Sequence, residues 1–344
     1  MKILYMSCHD VLEYDEIRIL SQLGHDVFSI SGYMNPRSPH SSIRPGLKLD
    51  FNKSLFDKWG HYTNLNLLNN INENLCGKIL HKDFVDEFDC IIVMHIQEWI
   101  DLNVDVFKNK KVILRTIGQN LELNEHSLNK HRKNNVKIIR YSPKERELVN
   151  YAGENTLIRF LKYKSDFKNR STDLLKNVIS FGQNVYERRL HCGAKHIEYM
   201  SNRFNFKLFG PHNQNYKFSG GHISYEEQLD ELSKNSVFFY TGTYPAQYTL
   251  GFVEALMSGI PLVSIGESLL YEGIGKYPSE VCDILSKVSS LYSNNIEEIC
   301  EIVQKILQND EYARQISDKQ IKVATEMFSV EQNINLWKDF LNSL

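Results

Sequence analysis

Short apolar segments alternate with longer polar-faced segments along this chain, and this alternation limits the fold more than any other feature. Segments of this length flanked by helical patterns favour mostly parallel β-sheets with helices on both faces. The sequence therefore predicts an α/β protein. In the first half the predicted strands are Ile3 to Met6, Val27 to Ile30, Cys90 to Met94, Val112 to Thr116, Val136 to Tyr141 and Leu157 to Phe160. A second series follows at Asn177 to Phe181, Phe206 to Phe209 and Ser236 to Tyr240.

The chain length indicates two domains. A chain of 344 residues exceeds the size of most single cores. The polar stretch from Lys162 to Lys176 separates the two series of strands and is the natural linker. We expect one domain at 1–165, a second at 166–328 and a terminal amphipathic helix at 329–344. Ser329 and Gln332 form a capping pattern at its start.

Composition excludes some classes of protein. The chain is 42% apolar and 24% charged, as in soluble globular proteins, and its formal net charge of −2 gives no overall attraction to nucleic acid. Local basic clusters at 130–133 and 159–168 leave nucleic acid open as a partner. The six cysteines form no Cys-x-x-Cys pair, and no apolar run reaches the ~18 residues of a membrane span. We expect reduced thiols and a cytoplasmic location.

The segment from Tyr240 to Ser264 reads as strand, loop, helix, turn and strand. A helix that starts at the carboxyl end of a parallel strand presents unpaired N–H groups to an anion. The residues Tyr248, Thr249 and Leu250 lie at this helix start, and Glu254 follows one turn later. We therefore expect these four residues to contact an anionic ligand such as a nucleoside diphosphate.

This segment resembles the donor-binding segment of GT-B glycosyltransferases, in which a Glu in the first turns of the helix binds ribose hydroxyls. Glu254 and the turn 258–261 keep that pattern, whereas Ala246 stands where many members have a first Glu. Groups that resemble spore-maturation glycosyltransferases and phage DNA β-glucosyltransferase also lack that first Glu. The resemblance implies the GT-B fold, with two Rossmann-like domains whose parallel sheets face a central cleft. It further implies a nucleoside-diphosphate sugar, here a UDP-sugar, as donor substrate, with no tightly bound cofactor and no bound metal.

A second motif supports the same site. The first strand of the second series ends at Gly182, and Arg188 and Arg189 follow within seven residues. A guanidinium group suits a diphosphate that gains charge as it leaves. We expect one of the two arginines to bind the diphosphate. By resemblance, Pro211 lies in a turn that holds the nucleotide base.

The first domain carries the candidates for acceptor chemistry. Polar residues follow three predicted strands, at 8–10, at His95 and at 115–119. A general base must reach the acceptor hydroxyl, and Asp or His suits that role near neutral pH. Asp10 and His95 are the first choices as catalytic residues. The segment 32–47, with three prolines and two arginines, is predicted to be a loop that either lines the cleft or lies on the surface.

The leading hypothesis is a glycosyltransferase that moves a sugar from a nucleoside-diphosphate sugar to a hydroxyl acceptor. That acceptor is a surface glycan, a small molecule or a protein, or alternatively a hydroxylated base in DNA, as for a phage-type enzyme. A nucleotide-sugar epimerase and a GT-B-like binding protein without catalysis are further alternatives. Product analysis with donor alone separates the epimerase from the transferase.

Overall fold

A computed structural model describes residues 1–30 and 52–344. The predicted segment 32–47 lies outside these residues. The described chain forms two six-stranded sheets in which all neighbouring strands are parallel. The first sheet contains β1 (Lys2–Met6), β2 (Asp26–Ser29), β3 (Cys90–Met94), β4 (Lys111–Arg115), β5 (Lys137–Arg140) and β6 (Thr156–Leu157), in the order β2-β1-β3-β4-β5-β6. The second contains β7 (Leu175–Phe181), β8 (Phe206–Phe209), β9 (Ser219–Gly221), β10 (Asn235–Tyr240), β11 (Leu262–Ile265) and β12 (Tyr292–Ser293), in the order β12-β11-β10-β7-β8-β9.

Helices connect these strands. In the first domain they are α1 (Asp10–Gln22), α2 (Lys53–Leu68), α3 (Glu73–Cys76), α4 (Lys82–Val85), α5 (Glu98–Leu102), α6 (Val104–Phe107) and α7 (Glu122–Lys133). In the second they are α8 (Val185–Arg188), α9 (Ala194–Ser201), α10 (Tyr225–Lys234), α11 (Leu250–Ser258), α12 (Val281–Ser286), α13 (Ile296–Gln308) and α14 (Asp310–Phe328), followed by α15 (Val330–Asn342). The prediction of an α/β chain with two Rossmann-like parallel sheets is confirmed.

Local signals placed most element boundaries correctly. At α10 the Ser224 hydroxyl accepts the Glu227 N–H at 3.3 Å, and the Glu227 carboxylate accepts the Ser224 N–H at 2.7 Å. This is the predicted capping box. The second predicted cap is wrong: α15 begins after Ser329, but the Ser329 side chain makes no capping hydrogen bond. Ser329 is buried where the chain passes Lys162, and its hydroxyl makes no hydrogen bond within the described residues.

The sixth predicted strand is shorter than expected. Pairing with β5 covers only Thr156–Leu157. The apolar residues that follow are buried for another reason, because Phe160 stacks on Tyr141 with ring centroids 4.4 Å apart and also packs against Tyr248 of the second domain. An apolar run at this point therefore marks a contact between domains.

The two domains are held together by a buried interface. One apolar cluster includes residues of both sheets, among them Tyr141 and Tyr248. The Tyr141 hydroxyl accepts the Gln247 N–H at 2.8 Å. Arg159 makes a two-pronged ion pair with Glu280 at 2.5 and 2.7 Å. These contacts join the carboxyl-end loops of β5 and β6 to the second domain.

The linker between the sheets is less solvated than its composition suggests. Lys162 is 1% exposed, and its backbone bonds to Phe328 and Val330 at the junction of the last two helices. Arg170 donates to the carbonyl groups of Leu232 and Asn235. The last helix, α15, packs against α1 of the first domain. The bounds 1–165, 166–328 and 329–344 stay a prediction.

Candidate functional site

The carboxyl ends of β7 and β8 form one tightly packed platform. Gly210 has φ +132°, and a Cβ there would lie 2.1 Å from the Gly182 carbonyl oxygen. The Asn213 amide donates to the carbonyl oxygens of Gly182 at 2.6 Å and Gly210 at 3.1 Å, and it accepts the Val185 N–H at 2.8 Å. The Pro211 carbonyl accepts the Asn184 N–H at 2.9 Å. The structure thus brings Gly182 and Pro211 together, in a place where backbone groups can approach a ligand closely.

The paired arginines face different surroundings. Arg189 is 51% exposed and pairs with Glu198 of α9 at 3.1 Å. Arg188 is half-buried and lies near the thiol of Cys192. Burial raises the pKa of that thiol, and the charge of Arg188 opposes the rise. The Cys192 carbonyl accepts the Thr241 hydroxyl at 2.7 Å, so the turn that follows Arg188 contacts the loop after β10.

The helix α11 begins at the carboxyl end of β10, as the sequence predicts. Thr249 is its N-cap, and the Thr249 hydroxyl accepts the Phe252 N–H at 3.4 Å. Tyr240 fixes this cap, because its hydroxyl donates to the Thr249 hydroxyl and accepts the Thr249 N–H, both at 3.2 Å. The N–H groups of Leu250 and Gly251 have no intrahelical acceptor at this position. Such free N–H groups at a helix start are suited to an anion, and the predicted anion site at this point stays a prediction.

Glu254 lies one turn further along α11 and is 4% exposed. Its Oε1 accepts from Lys162 Nζ at 2.9 Å, and its Oε2 accepts from the Gln228 amide at 2.6 Å. Lys162 Nζ also donates to Asp15 Oδ2 at 2.6 Å. If a ribose bound Glu254, the ribose hydroxyls would replace Lys162 and Gln228 as hydrogen-bond donors to the carboxylate. The role of Glu254 stays a prediction.

The side chain of Tyr248 is buried between the two domains. It is 1% exposed, and its hydroxyl donates to the Tyr141 carbonyl at 2.9 Å. Its ring packs edge-on against Phe160 and Phe328. In this structure the Tyr248 side chain belongs to the domain interface, and its predicted ligand contact stays a prediction.

Asp10 and His95 follow strands β1 and β3, which are neighbours in the first sheet. Asp10 is the first residue of α1, and the ring of His9 caps this helix. Burial lowers the pKa of His9, and the positive charge of Lys162 lowers it further.

His95 has an unusual backbone. Its φ is +63°, a conformation that non-glycine residues seldom adopt and that recurs at functional sites. Its N–H donates to the Arg115 carbonyl at 2.9 Å. Burial lowers the pKa of the His95 imidazole, and the Glu98 carboxylate partly opposes this effect. The ring is therefore neutral near pH 7 and able to accept a proton.

Sequence reasoning missed Lys162, Gln228 and Asn213. A lone Lys in a polar linker and a Gln on an exposed-looking helix face carry no local signal of burial. Asn213 follows a Gly-Pro turn, where Asn side chains commonly hydrogen-bond to nearby backbone groups. The sequence could therefore have predicted the structural role of Asn213.

Among residues 1–30 and 52–344, no group of three or more His, Cys, Asp or Glu side chains is arranged to hold a metal ion. Within the same residues no helix has the length and apolar character needed to span a membrane.

The two facing Rossmann-like domains, the packed strand-end platform and the returning last helix define the GT-B fold, the fold of a large class of glycosyltransferases. The chain is similar to HepE of Anabaena, solved in complex with UDP, with 11% identity, full coverage of both chains and a TM-score of 0.62. It is also similar to an α-glucosyltransferase in complex with UDP-glucose and DNA containing an abasic site, with 10% identity, 99% coverage of each chain and a TM-score of 0.60. The chain is also similar to TarM, with 17% identity and a TM-score of 0.56. The match covers 79% of this chain and 59% of the length of TarM. At these identities the likeness is one of fold. Neither a family model nor a curated protein matches the sequence.

Proposed function

We propose that this protein is a glycosyltransferase that transfers a sugar from a UDP-sugar to a hydroxyl acceptor. The observation that supports the proposal is the position of Gly182 and of the start of α11, which follow two neighbouring strands of the second sheet, β7 and β10, with Arg188 on the short helix after Gly182. This arrangement offers backbone N–H groups and one guanidinium group to a diphosphate. Two of the similar structures contain UDP or UDP-glucose, which supports the choice of nucleotide.

The chemistry needs a group on each wall of the cleft. Bond cleavage at the anomeric carbon leaves the electron pair on the diphosphate, and Arg188 together with the N–H groups of Leu250 and Gly251 stabilises that charge. In a reaction that inverts the configuration at the anomeric carbon, the acceptor hydroxyl loses its proton to His95 or Asp10. In a retaining reaction the leaving phosphate takes the proton instead, and the same residues orient the sugar by hydrogen bonds.

DNA is the less favoured acceptor. Most cations of the two basic clusters that left it open make contacts within the chain. In the first, Lys130 pairs with Asp101 and Arg132 donates to the Ala152 carbonyl. In the second, Arg159 pairs with Glu280, Lys162 is buried and Lys168 pairs with Asp230. A cation already paired with a carboxylate gives little net attraction to phosphate.

Binding and turnover of nucleoside-diphosphate sugars test the proposal. We would measure binding of UDP-, GDP-, ADP- and TDP-sugars by calorimetry, then release of nucleoside diphosphate with and without acceptor mixtures. A UDP-sugar that binds and is hydrolysed slowly, with stimulation by an acceptor, supports the assignment. Absence of binding to the whole panel refutes it, and conversion of the donor sugar into its epimer without acceptor identifies the epimerase instead.

A further inference from the structure

A cavity of about 780 Å³ lies between the domains and is bordered by the loop that leads from β10 to α11. One wall comes from the first domain, at Leu121 and in the turn and loop 144–149. The opposite wall is the segment 267–279 after β11, together with Tyr244 from the loop after β10. A volume of this size accommodates a small ligand or two linked sugar rings. None of the residues assigned to the donor lines this cavity.

Three tyrosines give the cavity a rigid aromatic wall. The rings of Tyr244, Tyr271 and Tyr277 meet edge-to-face, with centroids 5.4 to 6.0 Å apart. The Tyr271 hydroxyl donates to the Ala246 carbonyl at 2.5 Å, and the Tyr277 hydroxyl donates to the Asn120 carbonyl at 3.0 Å. Because these hydroxyls are fixed, the rings do not need to be ordered when a ligand binds.

The polar lining is acidic. Four carboxylates and two ammonium groups border the cavity: Glu122, Glu147, Glu267, Glu272, Lys144 and Lys276. Lys144 is already paired with Glu147 at 2.9 Å and with Asp283 at 3.2 Å. An excess of negative charge disfavours a polyanion such as DNA. Carboxylates are strong acceptors for hydroxyl groups.

One loop, between β10 and α11, connects the cavity to the start of the predicted donor helix α11. The Tyr244 N–H donates to the His191 carbonyl at 2.7 Å, three residues beyond Arg188. The Pro245 carbonyl accepts the Gln119 N–H of the first domain at 2.9 Å. The same loop then leads into Thr249 and α11. A ligand that contacts Tyr244 therefore lies next to the loop that precedes α11.

From this geometry we infer that the cavity binds the acceptor and that the acceptor is an uncharged glycan. A sugar ring combines an apolar C–H face, which packs on an aromatic ring, with hydroxyls that donate to carboxylates. The lining offers both kinds of contact and repels phosphate. This inference rests on the proposed transferase function.

The test separates the acceptor from the donor. Wild-type protein is applied to an array of neutral, sulfated and sialylated oligosaccharides, and to duplex DNA that carries hydroxymethylcytosine. The dissociation constant of the best neutral oligosaccharide is then measured by calorimetry for Val149→Trp, which fills the cavity from a residue that is 61% exposed. Val104→Trp on α6, at 54% exposure and away from the cavity, is the matched control. A second pair is Glu267→Gln at the cavity and Glu301→Gln at an exposed position of α13.

We expect Val149→Trp and Glu267→Gln to weaken glycan binding at least tenfold, with UDP-sugar binding within twofold of wild type and both controls unchanged. Glycan binding that Val149→Trp leaves intact overturns the inference. So does a protein that binds UDP-sugar but no neutral glycan, or one that prefers DNA or sulfated glycans. If UDP-sugar binding itself is absent, the transferase proposal fails. The array and the Val149→Trp comparison still decide whether the cavity holds a glycan.

Discussion

Lys162 Nζ lies 2.9 Å from Glu254 Oε1, and this contact links the segment between the domains to the donor helix of the second domain. The same ammonium group donates to Asp15 of the first domain at 2.6 Å. All three side chains are nearly inaccessible to water, with exposures of 1 to 5%. One cation therefore ties together two domains and the residue that we expect to bind ribose.

Replacement of Lys162 should lower the free energy of unfolding. Lys162→Met leaves two buried carboxylates without their shared cation, and loss of one partner from a buried pair costs roughly 3 to 5 kcal/mol. Urea denaturation should show that loss in the free energy of unfolding. Lys168→Met removes an exposed ion pair with Asp230 and should cost less than about 1 kcal/mol. Equal stability of the Lys162 variant and wild type would show that the pair adds nothing to folding.

Glu254 and Asp15 flank the same cation but should differ in function. Glu254→Gln should raise the UDP-sugar dissociation constant about tenfold or more, because charge-assisted hydrogen bonds to ribose contribute roughly 1.5 to 3 kcal/mol each. Asp15→Asn perturbs Lys162 in a similar way and should leave donor affinity within about threefold. Calorimetric titration measures both. Equal weakening in the two variants would assign Glu254 to the ion-pair network alone.

The two arginines provide another matched pair. Arg188→Ala should reduce turnover about 100-fold, the scale for loss of one group that stabilises the leaving charge. Arg189→Ala removes only an exposed pair with Glu198 and should keep turnover near that of wild type. Steady-state kinetics with saturating donor distinguish them. The reverse order of effects would move the phosphate contact to Arg189.

His95 should define the acid limb of the pH profile if it is the base. Its pKa in the folded protein lies below the usual 6.5, so the imidazole is mostly neutral from pH 8 down to about 7. The transfer rate should be flat over that range and fall at lower pH. In His95→Ala the rate should drop about 100-fold or more with donor binding unchanged. If instead Asp10→Asn loses transfer and His95→Ala keeps it, the base is Asp10.

Several buried histidines should make stability depend on pH. Burial lowers the pKa of His9, His95, His131 and His196. The unfolded chain binds protons near pH 6.5 where the folded chain does not, so their contribution to stability is complete above that pH and is lost as pH falls. Calorimetry should give a Tm that declines from pH 7 to pH 5.5. His131→Asn should flatten this decline, and a Tm that rises on acidification would contradict the account.

The sequence by itself determined the two parallel sheets and the start of α11 after β10. Both features depend on period, turn residues and caps, which act between near neighbours in the chain. The GT-B class of fold was implied by the resemblance of the segment 240–264 to a known family, and the similar structures confirm it. Strand periodicity located β1 to β5 and β7 to within a few residues. The sequence also placed Gly182 at the end of β7 and Glu254 in the helix that follows β10, and parallel strands bring their carboxyl ends to one edge of the sheet.

Only the tertiary structure decided the partners of the side chains. Glu254 meets Lys162 from 92 residues away, and Tyr141 meets Gln247 from 106 residues away. Arg188 and Arg189 are adjacent and chemically identical, and only the packing of α9 gives Arg189 a carboxylate partner. The cavity beside Tyr244 likewise depends on the relative placement of two domains. Such contacts are set by how complete surfaces pack, a property that no short window of sequence contains.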